Sequence, residues 1–568
     1  MTSTPRAMPG WRRVRRLTHL KRYREIVGVL ASYGFVDVVH AMHLTSPLAA
    51  GRRLLFTAGP PVDPNLTRPE RLRRACEALG PTFIKLGQAL STRRDVLPPE
   101  IVAELSRLQD DVPPLEPGVA ERAIEAQFGR PIGALFGSFD PVPLAAASIA
   151  QVHRATLPSG EVVAVKVRRP GIEAVIEADL AILADLAALF ERYVPDATLY
   201  SPSGLVAEFA RTIRRELDLA REGRILMRVA TDFAGDPTVR YPAVHWPLTG
   251  LTVLTMEFLD GVKVSAVGTA AAPTLRPDVV ARRGADVVLK QILVHGLFHA
   301  DPHPGNILVL AGDIVAFVDF GIVGRVDRRM RETLADTILT VGRSDAEHLA
   351  EIVAEVAVPL RPVDLAELAR DLDEMLDAYA DVPLGELSLA DVFAAIVTTM
   401  SRHRLKLPAD LLLLIKAVST IEAVGRQLDP SFKVIDYALP LVRSVLARRH
   451  APDALARRAA VAGREALHAL HDVPRDLAEI TRRVRDDGLQ VEFIHRNLDH
   501  FIHEMDRSSN RLSFAIVIAA VVVGSAVVMQ TGVGSERFGY PSLGLAGFVV
   551  AAVLGIGLAI GILRSGKL

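Results

Sequence analysis

The spacing of apolar and polar positions divides the chain into helical, strand-like and uninterrupted apolar stretches. In residues 20–50, Leu20, Ile26, Val27, Leu30 and Val36 lie roughly on one helical face. Gly-Pro-Pro-Val-Asp-Pro at 59–64 breaks that pattern, and a second helical unit runs from Pro69 to about Leu108. Pro113-Pro114-Leu-Glu-Pro117 marks the next boundary, before a short helix over 119–128. The period then changes to two. Ile149–Thr156 alternates, Pro158-Ser-Gly160 turns the chain, and Glu161–Val167 reads as a buried strand. Residues 170–228 are mostly helical, and Thr252–Gly261 is a strand running into a turn. A helix from about Asp278 to His295 leads to two β-branched runs, Ile307–Val309 and Ile314–Val318, around Ala311-Gly312-Asp313. That is the pattern of a tight hairpin. From 325 to about 510 the spacing is helical, broken at Pro359, Pro362, Pro383, Pro408 and Pro430. Ile494, Leu498, Phe501, Ile502 and Met505 form one stripe, a packing face or the face of a homodimer.

The end of the chain follows a different rule. Leu512–Met529 is apolar or small apart from Ser513 and Ser525, and Leu543–Leu563 carries no charge over 21 residues. About 20 apolar residues cross a bilayer as a helix, so two spans are expected, with membrane lipid as a partner. Arg507 and Arg511 flank the entry and Arg564 and Lys567 the exit. The positive-inside bias puts both ends, and the catalytic part, on the cytoplasmic side of the cell (inner) membrane. Gly557 and Gly561, four apart, would allow close helix contact.

Composition adds limits. A chain of 568 residues exceeds one domain, and 50% hydrophobic residues supply a large core. Lys+Arg and Asp+Glu are both 66, so no global field points to nucleic acid. Eight Arg or Lys without an acid lie between Met1 and Arg24, a basic arm that either contacts anionic lipid or is simply solvated. The single cysteine, Cys76, excludes an internal disulfide and fits a reducing compartment.

The chemistry concentrates at His299-Ala-Asp301-Pro-His303-Pro-Gly305-Asn306 and Asp319-Phe320-Gly321. In a kinase-type site the first Asp, Asp301, faces the acceptor hydroxyl or water, while Asn306 and Asp319 hold magnesium on the phosphates of ATP. The hairpin between them would fix both metal ligands near one ion. Lys166 sits inside a buried strand, costly without a charged partner. Glu222 is its natural counter-ion, 56 residues on, so an insertion lies between them. Leu144-Ala145-Ala146-Ala147-Ser148 occupies the place of a phosphate-covering loop, with alanine where glycine would admit closer backbone approach. Glu257 ends the strand at the place of an interlobe hinge. Lys85 and Gln88, three apart, share a helix face, as do Asp218 and Glu222, four apart.

Taken together, Lys85/Gly87/Gln88, Ala145–Ser148 with Gln151-Val-His153, Lys166, Glu216/Asp218, Asp301/Asn306 and Asp319-Phe-Gly321 resemble the UbiB family of atypical kinase-like proteins over about residues 20–530. The C-terminal hairpin is similar to that of its bacterial members. The resemblance implies an α+β, protein-kinase-like two-lobed fold with an N-terminal helical extension and a C-terminal two-helix transmembrane hairpin. It divides the chain into a basic and helical segment (1–60), a helical extension with the Lys-x-Gly-Gln motif (61–130), an N-lobe with a helical insert (131–262), a C-lobe (263–480), an amphipathic linker helix (481–511) and the hairpin (512–568). It implies magnesium-dependent nucleotide binding, ATPase activity rather than phosphorylation of proteins in trans, and support of isoprenoid-quinone biosynthesis, with quinone precursors or their enzymes as partners. Lys85 and Gln88 would lie within the site where a protein substrate otherwise docks, and Glu216 and Asp218 would anchor that helix near the metal. These four roles come from the resemblance alone. A small-molecule phosphotransferase of the aminoglycoside or choline kinase type is an open alternative, since His299-x-Asp301…Asn306 is close to its signature. So is a nucleotide-binding scaffold without turnover. A metal hydrolase using His299, Asp301 and His303 lacks further ligands to complete a first shell.

Overall fold

A computed structural model describes residues 22–35, 66–93, 96–108, 112–193, 201–379, 388–449, 498–531, 536–537 and 540–564. The basic arm before Arg22, residues 36–50 of the first helical stretch, and the side chains of Ile494, Leu498, Phe501 and Ile502 in the proposed dimer stripe lie outside them. The chain forms two units, Met1–Arg457 and Arg458–Leu568.

The first unit begins with helix α1 (residues 22–32), followed by α2 (Arg68–Leu79), α3 (Pro81–Leu90) and α4 (Pro99–Leu105). A capping box starts α2: the Thr67 hydroxyl accepts from the Glu70 amide, and the Glu70 carboxylate accepts from the Thr67 amide. Gly87 in α3 is a packing requirement. A Cβ there would overlap Leu108 Cδ1 and lie 3.5 Å from Leu105 and 3.7 Å from the Cys76 sulfur. So α3 sits with its backbone against α2 and the end of α4.

Helix α5 (Val119–Phe128) falls where the spacing puts it and ends at Gly129, whose φ of 66° is left-handed. Strands β1 (Ser138–Phe139), β2 (Ala145–Ala146), β3 (Ala150–Thr156) and β4 (Val162–Arg168) follow. Helices α6 (Ile172–Tyr193) and α7 (Pro202–Glu216) fill the expected insertion, α8 (Leu219–Asp232) carries Glu222, and strands β5 (Val239–Arg240), β6 (Val253–Glu257) and β7 (Val262–Lys263) follow. The first sheet has the order β1-β3-β4-β6, antiparallel throughout, with β2 also paired to β3. Alternation fixes the faces of β4: Val163, Val165 and Val167 are fully buried with Ala120, Ile124 and Phe136, which leaves Lys166 on the opposite face.

Helix α9 (Pro277–Lys290) continues into a π turn, Gln291–His295, where the spacing suggests one uninterrupted helix to His295. Gln291 is fully buried in that wider turn, donating to the Tyr241 hydroxyl (3.1 Å) and accepting from the His299 amide (2.9 Å). Strand β8 (Leu297–His299), the hairpin β9 (Ile307–Leu310) and β10 (Ile314–Phe317), and β11 (Val323–Arg325) then build the site. The hairpin turns through Gly312 and Asp313, both at positive φ (79° and 62°). Asp313 is buried there because it accepts from both the backbone and the guanidinium of Arg276, each at 2.8 Å. The second sheet runs β5-β10-β9-β7, and β8 pairs with β11. Helices α10 (Arg328–Val341), α11 (Ala346–Val356), α12 (Leu365–Asp377), α13 (Leu389–Arg402), α14 (Ala409–Leu428) and α15 (Val434–Arg449) complete the larger lobe. Its core joins Phe298, Phe317, Val288, Ala417 and Ile435, all fully buried.

The second unit holds α16 (Leu498–Thr531) and α17 (Ser542–Arg564). Leu512–Gln530 in α16 is long and apolar enough to cross a membrane, and only 6% of that window is buried. A soluble core helix would have most of it covered. Helix α17 runs for 23 residues and contains the apolar stretch Gly544–Leu558, and the side chains of residues 559–564 lie outside the described ones. The close approach expected at Gly557 is elsewhere: no atom lies within 4 Å of a Cβ built on Gly557, whereas one on Gly547 would overlap the Ser525 hydroxyl and one on Gly544 would meet Met529 at 2.6 Å.

Candidate active site

Three charged groups from separate elements meet between the lobes. Lys166 Nζ lies 2.8 Å and 3.0 Å from the two oxygens of Glu222 on α8, and 3.3 Å from Asp319 Oδ1 after β10. Burial would lower the lysine, but Asp319 and Glu222 overcome it and hold the ammonium above its ordinary value. Burial pushes the Glu222 carboxyl up to about 7, Lys166 opposing and Asp319 adding to the rise. Asp319 is driven well below the carboxylate range: burial opposes this, but Lys166, the Gly321 amide (2.9 Å), His299 and Lys85 outweigh it. The site thus presents an ionised aspartate beside a fixed ammonium.

The segment after β8 supplies the second half. The Val318 amide donates to the Asn306 carbonyl (3.2 Å), so the residue preceding Asp319 is tied to Asn306. The Asn306 amide group donates to the Asp301 carbonyl at 3.3 Å. Both are hard oxygen donors, as magnesium prefers. Among the described residues no group of three or more His, Cys, Asp or Glu could hold a metal. Two protein donors with the rest of the shell from phosphate and water is how magnesium is usually bound beside a nucleotide, so Asn306 and Asp319 fit that ion.

Asp301 is held by Lys416 of α14, Nζ to Oδ1 2.8 Å. His299 Nδ1 accepts from the Asp301 amide (3.1 Å), which places the ring proton on Nε2, where it has no partner among the described residues. The ring lies 4.9 Å from that of Phe320, in the Asp-Phe-Gly turn. Burial is the main cause of its depressed pKa, about 4. This imidazole is a neutral support under Asp301 and Phe320. His299, Asp301 and His303 do not form a ligand cluster: His303 Nδ1 instead accepts from the Gly305 amide (3.2 Å).

The remaining residues singled out in the sequence divide between this cleft and other tasks. Lys85 pairs with Glu216 at 2.7 Å, so the Lys-x-Gly-Gln helix α3 is pinned to the end of α7 beside Gly321. Gln88 lines the same cleft and donates to the Leu108 carbonyl (3.2 Å). Asp218 does not hold α3. It caps α8, accepting from the Arg221 amide (2.9 Å), because a β-region residue ahead of a helix is where an Asp side chain satisfies a free N–H. It thereby sets the first turn that carries Glu222. Glu257 turns toward Arg240 at 2.5 Å and accepts from the Ala243 amide (3.2 Å), so its carboxylate is engaged at the sheet edge. Ala145 and Ala146 are in β2; Ala147 and the buried Ser148 form the turn into β3, with Arg169 donating to the Ala147 carbonyl (2.9 Å).

Sequence reasoning missed Lys416 and the supporting role of His299. The signal for Lys416 is a lone cation after Leu411-Leu-Leu-Leu-Ile, in a helix otherwise buried on several sides. A lysine there needs a carboxylate, and nothing in the spacing says that the carboxylate is 115 residues earlier.

Residues 107–353 match the ABC1 atypical kinase-like domain, residues 372–433 the UbiB helical domain, and residues 496–564 the ABC1/UbiB kinase-like C-terminal domain. An uncharacterized protein of Synechocystis sp. is 34% identical over 466 residues, covering 80% of this chain and 79% of that one. A probable protein kinase UbiB of Cellvibrio japonicus is 37% identical over 442 residues, covering 77% and 79%. A solved Mycobacterium tuberculosis protein in complex with erythromycin shares 25% identity with a TM-score of 0.44, covering 60% of this chain and 87% of that one.

Proposed function

The chain belongs to the ABC1/UbiB family of atypical kinase-like proteins, and from that premise we propose that it binds Mg-ATP between its lobes, hydrolyses it, and supports isoprenoid-quinone biosynthesis at a membrane. The observation that carries this reading is the meeting of Lys166, Glu222 and Asp319 within 3.3 Å, with Asp301 and Asn306 on the next loop. Bound Mg-ATP supplies a transferable phosphoryl group whose charge the metal partly neutralises. Lys166, oriented by Glu222, holds phosphate oxygens; Asn306 and Asp319 are the metal ligands; Asp301, steadied by Lys416, orients the attacking water. Lys85 on its Glu216 anchor occupies the acceptor side, which supports ATP hydrolysis over protein phosphorylation. Residues 512–568 anchor the protein, and the flanking Arg and Lys residues favour a cytoplasmic catalytic unit.

The test has two arms. Purified protein in detergent with Mg-ATP should release phosphate, and a strain lacking the chain should lose isoprenoid quinone. Labelled phosphate appearing in a small molecule from a membrane extract, without phosphate release, would replace this reading with a small-molecule kinase. That second reading has one observation in its favour: the cleft beside Asp301 has a volume of about 400 Å³, room for a small acceptor. An unchanged quinone pool would remove the pathway assignment.

A further inference from the structure

The acceptor-side cleft is bounded by α3, α7, the first turn of α8, the Gly321–Val323 segment and α14, with Asp301 in its lining. Its charged lining is unequal. Lys85, Arg93 and Lys416 each face an acid, namely Glu216, Glu208 and Asp301. Arg211, Arg215 and Arg221 also line it, and among the described residues none of the three has an ion pair or side-chain hydrogen bond. Among the described residues the only further acid in the lining is Asp410, at the start of α14, which accepts from the Arg325 backbone amide at 3.5 Å. Arg211 and Arg215 are four apart on α7, so their like charges share a helix face and repel. Arg221 is half-buried and faces Arg215 from α7, Arg325 from β11, and Arg224 and Asp218 from its own helix. Arg224 occupies the free Asp218 oxygen at 3.3 Å, while the other oxygen is taken by the helix cap. Burial and then its arginine neighbours make the Arg221 charge less favourable than usual. Arg211 and Arg215 are exposed and Arg221 is half-buried, so three guanidiniums without an acidic partner among the described residues stand open beside a carboxylate, where an anion can bridge them.

We propose that this cleft binds the phosphate group of a small phosphorylated molecule or a phospholipid head, held by Arg211, Arg215 and Arg221 on the acceptor side of Asp301. This rests on the phosphotransfer reading of the site and adds the class of ligand on its acceptor side. Guanidinium forks match phosphate oxygens in pairs, a geometry that lysines would not provide. The arginines come from α7 and α8, and α7 also bears the Glu216 that holds Lys85, so a bound phosphate would stiffen the same wall that positions α3.

The experiment uses the full chain in detergent with Mg-ADP present, so that the nucleotide position is already filled. Thermal shift with Mg-ADP alone first reports whether that position binds, independently of the anion. Calorimetric titration with glycerol phosphate tests the soluble source, and nanodiscs of phosphatidylcholine with or without phosphatidic acid test the lipid source. One of these should bind, and Arg211→Gln/Arg215→Gln should weaken it by about tenfold or more. Arg214→Gln is the matched control, since Arg214 is on the same helix but pairs with Glu177 (2.7 Å), away from the cleft. It should leave affinity unchanged. Absence of binding from both sources, or equal weakening by Arg214→Gln, overturns the proposal. Loss of the Mg-ADP shift with retained, Arg215-dependent anion binding would instead overturn the nucleotide reading alone.

Discussion

Acidification should destabilise the protein through His299. Its imidazole is 1% exposed, accepts from the Asp301 amide through Nδ1, and has a folded pKa of about 4 against an ordinary 6.5. A folded pKa below the unfolded one means that the unfolded chain takes up the proton first. The contribution is complete above about pH 6.5, and stability is lost as the pH falls toward about 4. The full difference corresponds to about 3 kcal/mol, of which about 2 kcal/mol is gone by about pH 5. Other groups titrate over the same range, so the decisive quantity is a double difference. Unfolding free energies of wild type and His299→Gln would be measured in denaturant at about pH 7.5 and about pH 5. The variant should be less stable at neutral pH, because the Asp301 amide loses its acceptor or gains a poorly placed one, but it should lose about 2 kcal/mol less on acidification. Equal losses in the two proteins would show that His299 is not a buried neutral support, and the description of the Asp301 loop would be wrong.

Lys416→Met should leave Mg-ATP affinity in a binding assay unchanged while reducing the turnover rate, because it removes the 2.8 Å contact that steadies Asp301 and touches no phosphate or metal ligand. Gly87→Ala should destabilise the first unit by about 1–3 kcal/mol in chemical denaturation, since the new methyl overlaps Leu108 and presses on Leu105. Truncation at about Asn510 should give a more soluble protein that still shows a Mg-ATP thermal shift, because every site residue lies within Met1–Arg457. A folded truncation that does not bind nucleotide would make the C-terminal helices part of the catalytic unit.

Local rules made much of this legible. The period-two run with one lysine predicts both β4 and the need of Lys166 for a counter-ion, and Glu222 is there at 2.8 Å. The Gly312-Asp313 turn between β-branched runs predicts the hairpin that brings Asn306 and Asp319 together. What failed were assignments that need side-chain direction. Asp218 reads as a site acid until its backbone is seen to precede a helix, where capping takes it. Glu257 stands at the strand end, but Arg240 on the neighbouring segment draws it aside. Gly557 has contact spacing with Gly561, whose surroundings lie outside the described residues, yet no atom approaches Gly557, because close approach depends on where two helices cross, and Gly544 and Gly547 are at that point. Lys416 was invisible because its partner is set by tertiary packing of α14 under the Asp301 loop, which no local period encodes.

In the proposed site Asp319, beside Lys166 and tied through Val318 to Asn306, ligates the nucleotide-bound magnesium. Asp319→Asn keeps the shape and removes the charge, and an amide is a poorer ligand for a hard cation. The measurement is the thermal shift of wild type and variant with Mg-ATP, each compared with ATP in excess chelator. A magnesium-dependent shift is expected in wild type and none in a variant that still unfolds cooperatively. An undiminished shift in Asp319→Asn would mean that the metal is held elsewhere, and the site described here would not be the one that binds nucleotide.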